Sequence, residues 1–246
     1  MNILLSTCSF AFTSNLDGKS VADNVRNCFE KEFPNITVVN SPENAPAEIP
    51  RFILLSHHGF TTIVITSNLL QLTTKFSEEY SSDWNNHCKP YLESKMQLVY
   101  NFLKSSDIKV KYSGITVNSI FQTQDDSVKL IEKKFLKQKI LSDLQIYDIM
   151  QKQSFSYKGK YFVNFQIQNQ RYPMIEQNGL YPVLNQKENL KSVSVVVDIN
   201  DRQISNKDNN YCSTKEDFDE ILDINGRIIA FGLNNLVEGD MNLCLN

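Results

Sequence analysis

Residues 51 to 76 read RFILLS, HHGF, TTIVITS and NLLQLTTKF, runs of strand-forming residues separated by short turns. Alternation with a period of two puts successive side chains on opposite sides of an extended chain, and turns this short leave no room for a crossover helix. The stretch therefore predicts three antiparallel strands, with Gly59 and Asn68 at turn positions. A chain committed to such a meander must build the rest of its core around an antiparallel sheet.

Helical spacing appears on both sides of the meander. Residues 17 to 33 place Val21, Val25, Cys28, Phe29 and Phe33 mostly four apart behind Ser20, a candidate N-cap. Pro34 stops that helix before a short strand at 36 to 39, and Pro42, Pro46 and Pro50 make 40 to 50 a loop. Beyond Phe76, the residues Tyr80, Trp84, Cys88, Tyr91, Lys95, Val99 and Leu103 fall three or four apart, which predicts a helix face. Pro90 either kinks this helix or sits in the first turn of a second one that begins near Lys89. Residues 108 to 121 then alternate as a strand, with Gly114 marking a bulge or a close backbone approach.

The second half repeats the plan without repeating the sequence. A lysine-rich amphipathic helix at 129 to 139 precedes strands at 144 to 157, 160 to 172 and 191 to 201, with Lys158 and Gly159 in a hairpin turn. Residues 174 to 190 read as an irregular loop, and a closing helix follows a capping-box pattern at Ser213 and Glu216. The order predicts an α+β fold, a mainly antiparallel sheet with packed amphipathic helices, in two similarly organised halves, 1–122 and 123–246. These halves form two units or a single domain.

Composition sets the outer bounds. A chain of 246 residues can bury roughly 70–75% of its unfolded surface, so it needs no staples to fold. The net charge of −3 gives no overall basic footprint for nucleic acid. Five scattered cysteines, Cys8, Cys28, Cys88, Cys212 and Cys244, offer no zinc-ligand spacing, and no cofactor is implied. No run approaches the ~18 apolar residues of a membrane span, and the N-terminal apolar stretch lacks a basic region ahead of it. The expected setting is the cytoplasm, with reduced thiols and no membrane.

Candidate sites are few. The P-loop, dinucleotide, GxSxG and HExxH patterns are missing from the sequence. Three histidines are present, His57, His58 and His87; a thiol–imidazole pair needs the HHGF turn to fold over the helix and bring His57 or His58 to Cys88, with Asp83 orienting the ring. Asp125 and Asp126 ahead of Lys133 invite comparison with nuclease carboxylates, but without a strand-borne acidic pair they are better read as a capped helix start. Lys129, Lys133, Lys134, Lys137 and Lys139 form the densest basic face, a route to nucleic acid. Tyr80, Trp84 and Tyr91 share one helical stripe that serves the core or an interface.

The order of features from TIVITSNLLQLTTKF through Tyr80 and Trp84 to GITVNSIF resembles a sporadically distributed bacterial protein family of about 250 residues with no assigned function. The matching positions are Asn68, Leu69, Tyr80, Trp84 and Asn118, and then Asp198 and Phe231 in the C-terminal part. Where that family commonly has an arginine and a tyrosine before the asparagine, this chain has Ile115 and Thr116. The resemblance implies a fold and a bacterial or mobile-element setting, and it implies no reaction. Together these readings lead to the expectation of a non-catalytic accessory component of a mobile-element or defence locus that binds a protein partner and is free to form a homo-oligomer. The alternatives are an enzyme with a Cys/His or carboxylate site, and a nucleic-acid binder using the Lys129–Lys139 helix.

Overall fold

The first strand, β1 (Asn2–Phe12), alternates inward and outward residues along almost its whole length, with Cys8, Phe10 and Phe12 buried and Thr7, Ser9 and Ala11 half-buried on the other side. Such a strand is stable only inside a sheet. A computed structural model describes residues 1–13, 16, 19–40, 42, 45–124, 126–136, 144–178 and 181–238, and in it β1 lies at the centre of one nine-stranded antiparallel sheet.

The expected meander forms β3 (Phe52–Leu55), β4 (Thr61–Ile65) and β5 (Leu69–Lys75), preceded by β2 (Asn35–Val38). The spatial order is β2-β3-β4-β5-β1-β6-β9-β8-β7, in which β6 is Val110–Gln122, β7 Met150–Tyr157, β8 Tyr161–Asn178 and β9 Tyr181–Asn200. The sheet continues across the boundary between the two halves because β6 pairs with β9 from Gly114↔Asn200 to Gln122↔Ser192. Gly114 provides a close approach: a Cβ there would lie 2.7 Å from Asn200 Cβ and 2.8 Å from the Ile199 carbonyl oxygen.

Helices cover one face. The first, α1 (Lys19–Phe29), begins one residue before Ser20, so Ser20 is inside the helix and is not its cap. A π-helical turn (Trp84–Cys88) leads directly into α2 (Lys89–Ser105), with Pro90 in the first turn of the α-helix and the Lys89 N–H donating to the Trp84 carbonyl across the π-helical turn. The helix α5 (Lys215–Arg227) comes from the second half yet packs on β1 and α2, with Phe218 at 4.9 Å from Phe10 and at 6.5 Å from Tyr100 between ring centroids. Phe29 and Phe102 meet at 5.4 Å. Each fully buried side chain of this size contributes roughly 1.5–3 kcal/mol, and the Phe218 contacts to Phe10 and Tyr100 cross between the two halves.

Several boundaries differ from the expectation. The capping box of α5 is Thr214 with Asp217, one residue after the expected pair, because Ser213 bonds to buried Asp201 instead. Two short helices, α4 (Arg202–Lys207) and α6 (Leu233–Glu238), lie on either side of α5, and α6 follows a π-helical turn at Ile228–Gly232. Residues 144–149 are not a strand. The largest correction is at 174–190, where the expected loop is the far end of the β8–β9 ribbon, paired out to Asn178↔Tyr181. A two-stranded ribbon satisfies its backbone by cross-strand bonds without an apolar face, and Pro173 is accommodated at a register shift. The Lys158–Gly159 turn forms as expected: both residues have positive φ, the requirement of a type I′ hairpin.

A candidate binding groove beside the β3–β4 hairpin

The HHGF turn joins β3 to β4 and does fold over α2. His58 accepts the Phe60 backbone N–H at Nδ1 (3.3 Å), which places the ring hydrogen on Nε2, 3.2 Å from Tyr91 Oη. Tyr91 Oη in turn lies 2.7 Å from Thr61 Oγ1, and Thr61 Oγ1 lies 3.2 Å from Thr74 Oγ1. Lys95 stands 5.0 Å from the centroid of the Tyr91 ring and pairs with Glu32 at 2.8 Å. The hydrogen bond from Lys95 holds the Glu32 carboxyl below its ordinary range. Tyr91 is thus fixed at both its ring and its hydroxyl.

Tyr80 occupies a different position from the one its spacing suggests. The sequence SEEYSSD is rich in turn formers, and Asp83 caps the π-helical turn by accepting from Asn86 N (3.0 Å) and Asn86 Nδ2 (2.8 Å), so the helix begins at Trp84. The Asn86 bonds hold the Asp83 carboxyl below its ordinary range. The preceding turn is tied to β1 by Ile3 N donating to the Ser81 carbonyl at 2.8 Å. Tyr80 therefore projects from a turn, 48% exposed, with His87 edge-on to its ring at 5.3 Å.

Between these two segments lies a groove of about 480 Å³, lined by His58, Phe60, Phe76, Tyr80, His87 and Tyr91, with Thr74, Lys75, Ser77 and Asn86 completing its wall. Phe60, 51% exposed, stacks on His58 at 5.6 Å. The groove offers aromatic surface together with the donors of Lys75, Asn86 and His87. That combination suits an apolar or aromatic side chain whose neighbouring polar atoms need hydrogen bonds. Among the described residues, no carboxylate lines it.

The other sequence candidates lie elsewhere. Trp84 is 3% exposed and belongs to the core, so of the interface stripe only Tyr80 and Tyr91 reach the groove. Cys88 is buried and directs its Sγ to the Tyr80 carbonyl at 3.4 Å; burial, aided by the Asp83 charge, pushes its thiol up to about 12. The imidazole that reaches α2 bonds to Tyr91, and His57 bonds to the Lys31 carbonyl at 3.1 Å, so neither is hydrogen-bonded to the thiol. Asp126 caps α3 (Ser127–Phe135) by accepting from Val128 N and Lys129 N at 2.9 and 3.3 Å. On α3, Val128 and Ile131 are buried while Lys129, Lys133 and Lys134 are exposed, and the chain turns extended at Leu136. Asp125, Lys137, Lys139 and Cys244 lie outside the described residues.

Two further polar clusters are not candidate sites in the sequence, although Asn118 and Asp198 are positions of the family resemblance. Asp201, fully buried at the end of β9, accepts from Ser113 N (2.7 Å), Tyr211 Oη (2.8 Å) and the Ser213 hydroxyl. Burial raises its carboxyl above the ordinary range despite these bonds. On the half-buried face, Asp198 accepts from Thr116 (2.8 Å), Asn164 (2.7 Å) and Asn200 (2.9 Å), while Asn118 accepts from Ser194 (3.0 Å). Both clusters join strands of the two halves. The sequence carries little signal for them because their members are up to 100 residues apart.

Among the described residues, no group of three or more His, Cys, Asp or Glu is placed to hold a metal ion, and no helix is long and apolar enough to cross a membrane. No protein-family model matches the chain, and no curated protein matches it at a significant level.

Proposed function

We propose that this is a non-catalytic protein that binds another protein through the groove beside the β3–β4 hairpin, as an accessory component of a mobile-element or defence locus in the cytoplasm. The observation that carries the reading is the exposure of Phe60 and Tyr80, 51% and 48%, in one groove with a rigid floor at Tyr91. Exposed aromatic rings gathered in a groove lose water on binding, and such residues dominate the energetics of protein interfaces. The histidines have partners that explain them without chemistry: His58 holds Tyr91 and His87 flanks Tyr80. The setting is supported by the family resemblance at Asn68, Tyr80, Asn118 and Asp198 alone.

The test is affinity capture from the source cells with the parent protein and a Phe60→Ser, Tyr80→Ser double variant, each with and without nuclease. A protein retained stoichiometrically by the parent after nuclease treatment, and lost from the double variant, supports the proposal. Retention of nucleic acid alone, or equal retention by both proteins, contradicts it.

A further inference from the structure

The strand β7 forms one edge of the sheet. It pairs with β8 without a register break from Met150↔Gln168 to Tyr157↔Tyr161, and among the described residues no strand pairs with its outer side. Its eight residues contrast with the four of β2 at the opposite edge. Natural edge strands are blunted by shortness, proline, bulges or several charges, because free N–H and C=O groups template pairing with another chain. Here β7 has no proline, no bulge and one lysine, Lys152.

Apolar exposure is concentrated on this strand and in the segment just ahead of it in the chain. Among the residues whose side chains are described, Tyr147, Leu144 and Met150 are the most exposed large hydrophobics, at 62, 61 and 58%, and Phe155 on β7 is 43% exposed. Concentration of this kind within a dozen residues marks a surface that is covered in use.

We propose that β7 pairs antiparallel with β7 of a second copy of this chain, joining two nine-stranded sheets across a two-fold axis. Such an interface must be complementary to itself. A two-fold that makes adjacent strands antiparallel within one sheet stands perpendicular to the sheet and keeps each side chain on its own face, so residues opposite each other lie an even number of positions apart. The axis near the strand's centre therefore passes through Gln153 or Ser154. With the axis at Gln153, Lys152 opposes Ser154 and Gln151 opposes Phe155; at Ser154, Lys152 opposes Ser156 and Gln153 opposes Phe155. In neither register does the strand's single charge meet its own copy, and each register places a hydroxyl opposite the ammonium.

Sedimentation equilibrium across the micromolar range, with hydrogen exchange followed at each concentration, tests this. The expected result is a mass that rises from monomer to dimer together with protection of the β7 amides. Ser154→Lys sets a lysine against Lys152 in one register and against itself in the other, and is expected to weaken the dimer about tenfold or more. Ser154 is exposed on β7, and an unchanged melting curve of the dilute variant controls for folding. A monomer at every concentration overturns the proposal, as does a dimer whose β7 amides exchange as in the dilute protein or whose affinity is untouched by Ser154→Lys.

Discussion

Gly226 of α5 lies against the indole of Trp84: a Cβ at position 226 would stand 3.1 Å from Nε1 and 3.7 Å from Cδ1. This contact joins the start of the α2 segment to the closing helix, and so joins the two halves. The Trp84 ring is 3% exposed and its N–H has no hydrogen-bond partner among the described groups, so packing alone positions it. Area burial outweighs the orphaned donor, since a buried aromatic ring of this size contributes more than one unmade bond costs.

Gly226→Val should therefore destabilise the protein by about 2–3 kcal/mol, because a branched side chain cannot share the space with a fixed indole. Gly226→Ala should stay within about 1 kcal/mol of the parent, since the gain in helix propensity offsets a small displacement of the ring. Denaturant melts of the two variants check this. Equal stability of valine and alanine at 226 would count against a tightly packed Trp84.

Asp201 connects Ser113 on β6 to Tyr211 and Ser213 ahead of α5. Asp201→Ala leaves three donors without their acceptor and should cost about 3 kcal/mol or more, whereas Asp201→Asn keeps an acceptor for Ser113 N and should cost less than half of that. The folded-state carboxyl is raised above the unfolded value of 3.8, so the folded state holds its proton more tightly. This group's contribution is fully present below 3.8 and is lost as pH rises through the folded pKa. Melts across the acid range should show that slope in the parent and not in Asp201→Asn.

Glu220 behaves in the opposite sense. Hydrogen bonds from Tyr161 (2.5 Å) and Lys158 (2.9 Å), with Lys160 at 3.3 Å, lower its carboxyl from 4.5 to about 2. Its contribution is therefore present above 4.5 and is lost as pH falls through about 2. The side chain is one-third exposed, so screening reduces the effect and added salt should reduce it further. A Glu220→Gln variant compared with the parent between these pH values should lose less stability on acidification.

Cys88 provides a test of the thiol alternative. Burial and a thiol pushed up to about 12 predict that native protein resists alkylation at Cys88 and at Cys8, which is also buried with its thiol near 12, while exposed Cys212 reacts. Mass spectrometry of briefly alkylated native and unfolded protein checks it. Rapid native labelling of Cys88 would restore the case for a nucleophile.

Much of the sheet is legible in the sequence because β1, β3, β4, β5 and β6 alternate between a covered face and an open one, which writes a period of two into the residues. The outer ribbon from 174 to 190 is not legible: its strands are held by backbone bonds, and polar residues with prolines read as a loop. The groove is half legible. Tyr80 and Tyr91 stand out by spacing, but that spacing does not give their phase with Trp84, because Asp83 restarts the helix after the Tyr80 turn. Phe60, Lys75 and Phe76 carry no local signal beyond an aromatic residue next to a turn glycine, since the groove is assembled from a hairpin turn, a strand end and a helix.

The central claim is that another protein occupies this groove. The most direct measurement places a photo-crosslinking amino acid at Tyr80, and at exposed Lys129 as a control, in the full chain expressed in its source cells. The account expects a discrete protein adduct at position 80 that disappears with Phe60→Ser and is missing at position 129. No adduct at 80, or the same adducts at both positions, would contradict it.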